Sequence, residues 1–144
     1  MNQNGYSLME LTMVMAVTAV TVALAVPDVA AMATRYREQA VVTELAGELR
    51  TARTLAITQA SRVRAVIDED GRSLSLEREG DQSAPMRRFD FRGRGLSIDG
   101  ASEGISVWFY PSGRTASATT LTLRGDSRKV WRLTVSMAGR VTVQ

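Results

Sequence analysis

Residues 11–26 carry no charged side chain and consist almost entirely of Val, Ala, Met, Leu and Thr. Counted from Tyr6, the apolar segment is about 21 residues long, roughly 31 Å as a helix at 1.5 Å per residue. That length crosses a bilayer's hydrocarbon core of about 30 Å. One residue breaks the pattern, Glu10. A carboxylate inside a span costs about 2.5–3.5 kcal/mol on insertion scales, so it needs a partner or a purpose.

Three readings of this segment compete. A secretory signal peptide would use Ala23-Leu24-Ala25 as its cleavage site, but the amino end has no Lys or Arg and carries Glu10 instead. A plain signal anchor would let Glu10 reach the headgroups along its own stem. Cleavage between Gly5 and Tyr6 would free an α-amine four residues before Glu10, on the same helical face or open to a neighbouring subunit.

The stretch Gly5-Tyr6-Ser7-Leu8-Met9-Glu10-Leu11 resembles the processing site of the type IV pilin and type II secretion pseudopilin superfamily. Its members have Gly before the cut, an aromatic or apolar residue after it, and Glu as the fifth mature residue. The resemblance implies that a prepilin peptidase cuts after Gly5 and methylates the amine of Tyr6. It also implies that Glu10 neutralises the terminal amine of an adjacent subunit as helices stack into a filament. Two departures stand out: the leader lacks a basic residue, and Tyr6 replaces the commoner Phe. Because Arg35 and Arg37 lie beyond the span, charge does not place the leader in the cytoplasm. A single pass through the bacterial inner membrane, with the carboxyl-terminal part in the periplasm, follows from the resemblance alone.

The chain's 144 residues suffice for one domain once the span is set aside. Net charge is +3, carried almost wholly by Arg, with Lys129 the only lysine. That balance permits contact with nucleic acid or an anionic surface without requiring it. Cysteine and histidine are both absent, which removes disulfides, thiolate chemistry and the commonest general base and metal ligand.

Pro27 follows the apolar run directly. It marks either a bend within a longer helix or the end of the membrane helix. Beyond it, residues 30–61 read as helix, with Val41, Leu45, Leu49, Ala52, Ala56 and Ala60 in one apolar stripe. Glu44 and Glu48 sit off that stripe and repel each other slightly, so packing rather than charge is expected to hold this helix to a sheet.

From Arg62 the period becomes two. Strands are expected over 62–67, 73–78, 87–91, 96–98, 105–109, 119–124, 130–136 and 141–143. Turns fall at Glu69-Asp70-Gly71-Arg72, Gly93-Arg94-Gly95, Pro111-Ser112-Gly113-Arg114, Gly125-Asp126-Ser127-Arg128 and Ala138-Gly139-Arg140. A polar loop is expected at 80–85. The fold class is α+β, a long amino-terminal helix packed on an antiparallel sheet domain. Its expected parts are a leader (1–5), a transmembrane and filament-core helix (6–27), its amphipathic continuation (28–61) and a periplasmic β domain (62–144).

The stretch Leu49 to Arg64, with Trp108-Phe109-Tyr110-Pro111-Ser112-Gly113-Arg114, Leu121-Thr122-Leu123 and the run from Val130 to Val141, resembles the GspH/FimT branch of minor pseudopilins and pilins. The resemblance implies a structural, non-catalytic subunit of a type II secretion pseudopilus or a type IV pilus, partnered by other major and minor subunits.

Asp68-Glu69-Asp70-Gly71 lacks the ligand spacing of a calcium loop and reads as a hairpin tip. Ser112-Gly113 has no nucleophile-elbow context, and Gly93-Arg94-Gly95 is too short to cradle a phosphate. Trp108 and Trp131 read as core or interface anchors rather than a base-stacking platform. No catalytic, metal or cofactor site is expected. In the FimT-like part of the branch, a Gly-Arg-x-Arg pattern near the carboxyl end is associated with DNA capture. Here the pattern reads Gly139-Arg140-Val141-Thr142, lacking the second Arg. Arg124, Arg128, Lys129, Arg132 and Arg140 are therefore candidate phosphate contacts, against the alternative that they deter edge-strand pairing.

Overall fold

The computed structural model describes residues 7–80 and 84–144, with the backbone alone for residues 25–28. A single helix, α1 (Leu8–Thr58), is followed by β1 (Val63–Ile67), β2 (Ser73–Arg78), β3 (Arg87–Asp90), β4 (Leu96–Ala101), β5 (Ser106–Phe109), β6 (Thr119–Gly125), β7 (Val130–Val135) and β8 (Val141–Val143). The strands form two antiparallel sheets, β3-β2-β1-β5 and β4-β6-β7-β8, where a single sheet domain had been expected. The chain changes sheet after β3, through Gly93-Arg94-Gly95. Both glycines there sit at positive φ, 73° and 76°, which side-chain-bearing residues rarely adopt.

The second half of α1 lies against both sheets, touching β1 and β5 in one and β7 and β8 in the other. Val41, Leu45, Leu49, Ala52 and Ala56 are buried as the 3.6-residue stripe requires, and Val42 and Ala46 widen it. They meet Val63, Ala65, Leu74, Leu76, Val107, Phe109, Leu121, Leu123 and Leu133, the inward residues of the alternating strands. Truncating Leu49, which is wholly buried, should remove about 2–5 kcal/mol of stability. Urea unfolding of Leu49→Ala checks this through a lowered midpoint at unchanged slope.

Several expectations need correction. Ala60 is not on the stripe: α1 ends at Thr58, and Ala60 is exposed at φ +48°. Residues 96–98 extend to Ala101, because a bulge between Ile98 and Gly100 keeps the pairing with β6 in step. Ile105 lies outside β5 and is 58% exposed, although its carbonyl still accepts from the Ile67 N–H at 2.8 Å. Charge also helps to hold α1: Glu44 pairs with Arg94 at 2.6 Å and Glu48 with Arg87 at 2.7 Å. Each of these partly exposed pairs contributes at most about 1 kcal/mol.

At the β1–β2 tip, Arg92 bridges Asp68 and Asp70, each at 2.9 Å. The Arg72 backbone N–H and the Arg92 guanidinium hold the Asp70 carboxyl below the usual carboxylate range. The tip is thus a charged hairpin end, as its sequence suggested.

Candidate assembly site

The first half of α1 differs from the second in having no cover. Its side chains are exposed on every face from Leu8 to Leu24, including Leu8 at 81%, Met13 at 70% and Leu24 at 72%. An 18-residue window of α1 has mean hydropathy 2.0, long and apolar enough to cross a membrane. A helix that is apolar all round needs lipid or other helices about it. Its threonine hydroxyls are already satisfied within the helix. Thr18 donates to the Val14 carbonyl and Thr21 to the Val17 carbonyl, each at 2.8 Å, and Thr12 donates to Met9 at 2.9 Å. Such back-bonding removes the penalty that free hydroxyls would meet in hydrocarbon.

Ser7 caps the helix in extended geometry, accepting from the Met9 N–H at 3.4 Å. Glu10 follows in the first turn, exposed, its carboxylate without an ion pair or hydrogen bond among the described residues. Gly5 and Tyr6 lie outside the described residues. Pro27 falls inside α1, which runs unbroken through its position, so the two helical stretches read from sequence are one element.

Four of the five candidate phosphate contacts lie at one end of the β6–β7 pair, and Arg140 lies at the other end of β7. Arg124 is taken by Asp99 at 2.6 Å. Arg128 and Lys129 occupy the β6–β7 turn, where the Lys129 ammonium sits 3.7 Å from the Trp131 ring centroid. Arg132 faces outward from β7. Arg140 lies in the β7–β8 turn, at the other end of β7 from Lys129. The six residues of β7 separate the two turns by roughly 17–20 Å at 3.3 Å per residue. Residues 104–144 carry six cationic side chains against a single acid, Asp126.

Gly139, which precedes Arg140, has a structural duty. It sits at φ 73°, and a Cβ there would overlap the Gly113 carbonyl oxygen and lie 2.8 Å from Arg53 Nε. Arg53 Nε donates to that same carbonyl at 2.9 Å, and Arg50 donates to the Val141 carbonyl at 3.3 Å. Two arginines of α1 thus hold the Gly113 turn and the start of β8.

One site residue escaped the sequence reading altogether. Glu38, on α1, is 0% exposed. The Ser127 N–H donates to its Oε1 at 2.7 Å and the Ser127 hydroxyl to its Oε2 at 2.6 Å. No cation pairs with it among the described residues. An enclosed carboxylate of this kind costs several kcal/mol in desolvation, which such charge-assisted bonds offset at about 1.5–3 kcal/mol each. The available signal was its spacing, three residues before Val41 and seven before Leu45, which places it on the apolar stripe.

The model of the family described as Type II transport protein GspH matches residues 41–139. The chain belongs to the GspH family. It is thereby a member of the type IV pilin and type II pseudopilin superfamily, in the minor-subunit branch its sequence resembles. The family match starts at Val41, within the docked half of α1, and so does not include Glu10. Solved structures share the fold. The type IV minor pilin FimU of Pseudomonas aeruginosa aligns with TM-score 0.66 at 24% identity, over 76% of this chain and 90% of that one. The minor pseudopilin EpsH from the type 2 secretion system of Vibrio cholerae aligns with TM-score 0.60 at 16% identity, over 75% and 96%. No curated protein sequence matches the GspH-family chain.

Proposed function

We propose that this GspH-family protein is a non-catalytic minor subunit of a type II pseudopilus or a type IV pilus. Prepilin peptidase cuts it between Gly5 and Tyr6 and methylates the new amine. The first half of α1 anchors the chain in the inner membrane and then packs among the helices of other subunits. Glu10 meets a neighbour's terminal amine there, and the two-sheet domain stands on the periplasmic side. The observation that carries the reading is the uncovered first half of α1, apolar on all faces and interrupted by one unmatched carboxylate. Lipid satisfies the apolar faces but not the carboxylate; a neighbouring α-amine satisfies it. The likeness to FimU, a minor pilin, and EpsH, a minor pseudopilin, supports a filament role without choosing between the two machines.

A photo-crosslinking residue at Val17 or Val20 tests the packing in the native host. The expected adduct joins this chain to another subunit with an apolar amino-terminal helix. Adducts with lipid alone, under conditions where the filament assembles, would contradict the reading.

A further inference from the structure

Glu38 marks the point where the free half of α1 becomes part of the domain. Apart from residues 25–28, it is the first buried side chain along the helix; those before it are exposed or, at Thr34, half-buried. Val41 and Val42, the next buried residues, belong to the hydrophobic core. Glu38 is held by polar contacts to Ser127 and by close packing on Gly125. Both of its oxygens bond to Ser127, and Gly125 lies so close that a Cβ there would overlap the carboxylate. Glu38 therefore docks the helix onto the β6–β7 turn one helical turn beyond the reach of the core.

The opposite side of α1 carries its own pattern. Val29, Met32 and Tyr36 are 64%, 52% and 66% exposed and lie along one line of the helix at steps of three and four. Glu38 follows Tyr36 by two residues, a rotation of roughly 200° at 3.6 residues per turn. The exposed apolar line thus points directly away from the turn that Glu38 grips.

We propose that the Glu38–Ser127 contact is a rotational lock on α1. It sets the direction in which the line of Val29, Met32 and Tyr36 faces relative to the two sheets. Without it the last docked residues are Val41 and Val42, and the helix pivots where it leaves the domain. An apolar side chain at 38 cannot substitute, because the Ser127 N–H and hydroxyl would both lose their acceptor. The lock rests on the filament reading only for its consequence, which is that a subunit held by its helix presents its sheets in one orientation. Glu38 is in this sense a positioning residue, acting through the helix it holds.

The absence of native cysteine allows spin labels to be placed freely on the full-length protein in lipid nanodiscs. One pair, Arg35→Cys with Ala118→Cys, spans the lock; a control pair, Thr54→Cys with Ala118→Cys, reports the docked half. The unmodified lock should give one narrow distance in both pairs. Glu38→Gln should keep it, since an amide can accept from the N–H and donate to the hydroxyl. Glu38→Ala should widen the first distribution at least twofold and leave the control unchanged. Ser127→Ala, which removes one bond and little packing, should widen the first pair alone and to a smaller degree. An unwidened first pair in Ser127→Ala and Glu38→Ala, or equal widening in Glu38→Gln and Glu38→Ala, would overturn the lock. None of these outcomes bears on crosslinking at Val17, so the lock and the filament reading fail separately.

Discussion

Replacing Glu10 by alanine should remove the protein from the filament fraction while leaving it in the membrane with its domain folded. The Glu10 carboxylate makes no hydrogen bond or ion pair in its own chain among the described residues, so the folded sheet domain gains no stability from it. Alanine also makes the span more apolar, which favours insertion, by less than the about 2.5–3.5 kcal/mol of a charge at mid-span because Glu10 lies in the first turn. The loss falls wholly on assembly, where a neighbour's amine would be left buried and unmatched. Breaking a buried pair in that way costs about 3–5 kcal/mol. Each 1.4 kcal/mol is about a factor of ten in an equilibrium, so incorporation should fall at least a hundredfold. Quantifying the protein in sheared filaments against membranes checks it. Undiminished incorporation would mean that Glu10 has no amine to match.

Gly139→Val should strongly destabilise the sheet domain. The position needs φ 73°, and a non-glycine residue held in such a region costs about 1–3 kcal/mol. The added Cβ also displaces the Gly113 carbonyl, which Arg53 uses to hold the helix to the turn. The combined loss should be roughly 3–5 kcal/mol, a large share of the about 5–15 kcal/mol of an ordinary domain. Gly47→Ala is the matched control: nothing lies within 4 Å of its would-be Cβ, and it sits inside α1. It should stabilise the protein by about 0.5–1 kcal/mol. Urea unfolding of the two variants should move the midpoint in opposite directions. Gly139 before Arg140 is thus explained by the turn it makes, whatever Arg140 contacts.

Much of this fold can be read before any coordinates, and the exceptions have physical causes. β2 and β8 fall where alternation and flanking turn residues place them, at Ser73–Arg78 and Val141–Val143. Local pattern does not say which strands pair. That β5 returns to β1 while β4 joins β6 depends on contacts between residues far apart in the chain. The bulge at Asp99 hides β4's second half, since Asp99-Gly100 has the composition of a turn. Glu38 escaped for a different reason. A charged residue on a helix ordinarily faces water, and only its spacing from Val41 and Leu45 sets it on the buried side. The assembly segment shows the reverse balance. It is read from the sequence at Gly5-Tyr6 and Glu10, whereas among the described residues the folded domain offers the Glu10 carboxylate no partner.

The mature amino terminus tests the account most directly. Mass spectrometry of the protein recovered from native membranes should find a chain beginning at Tyr6 with a methylated α-amine. A chain that keeps Met1, or one that starts at Val26, would leave Glu10 without the amine on which the proposed assembly depends.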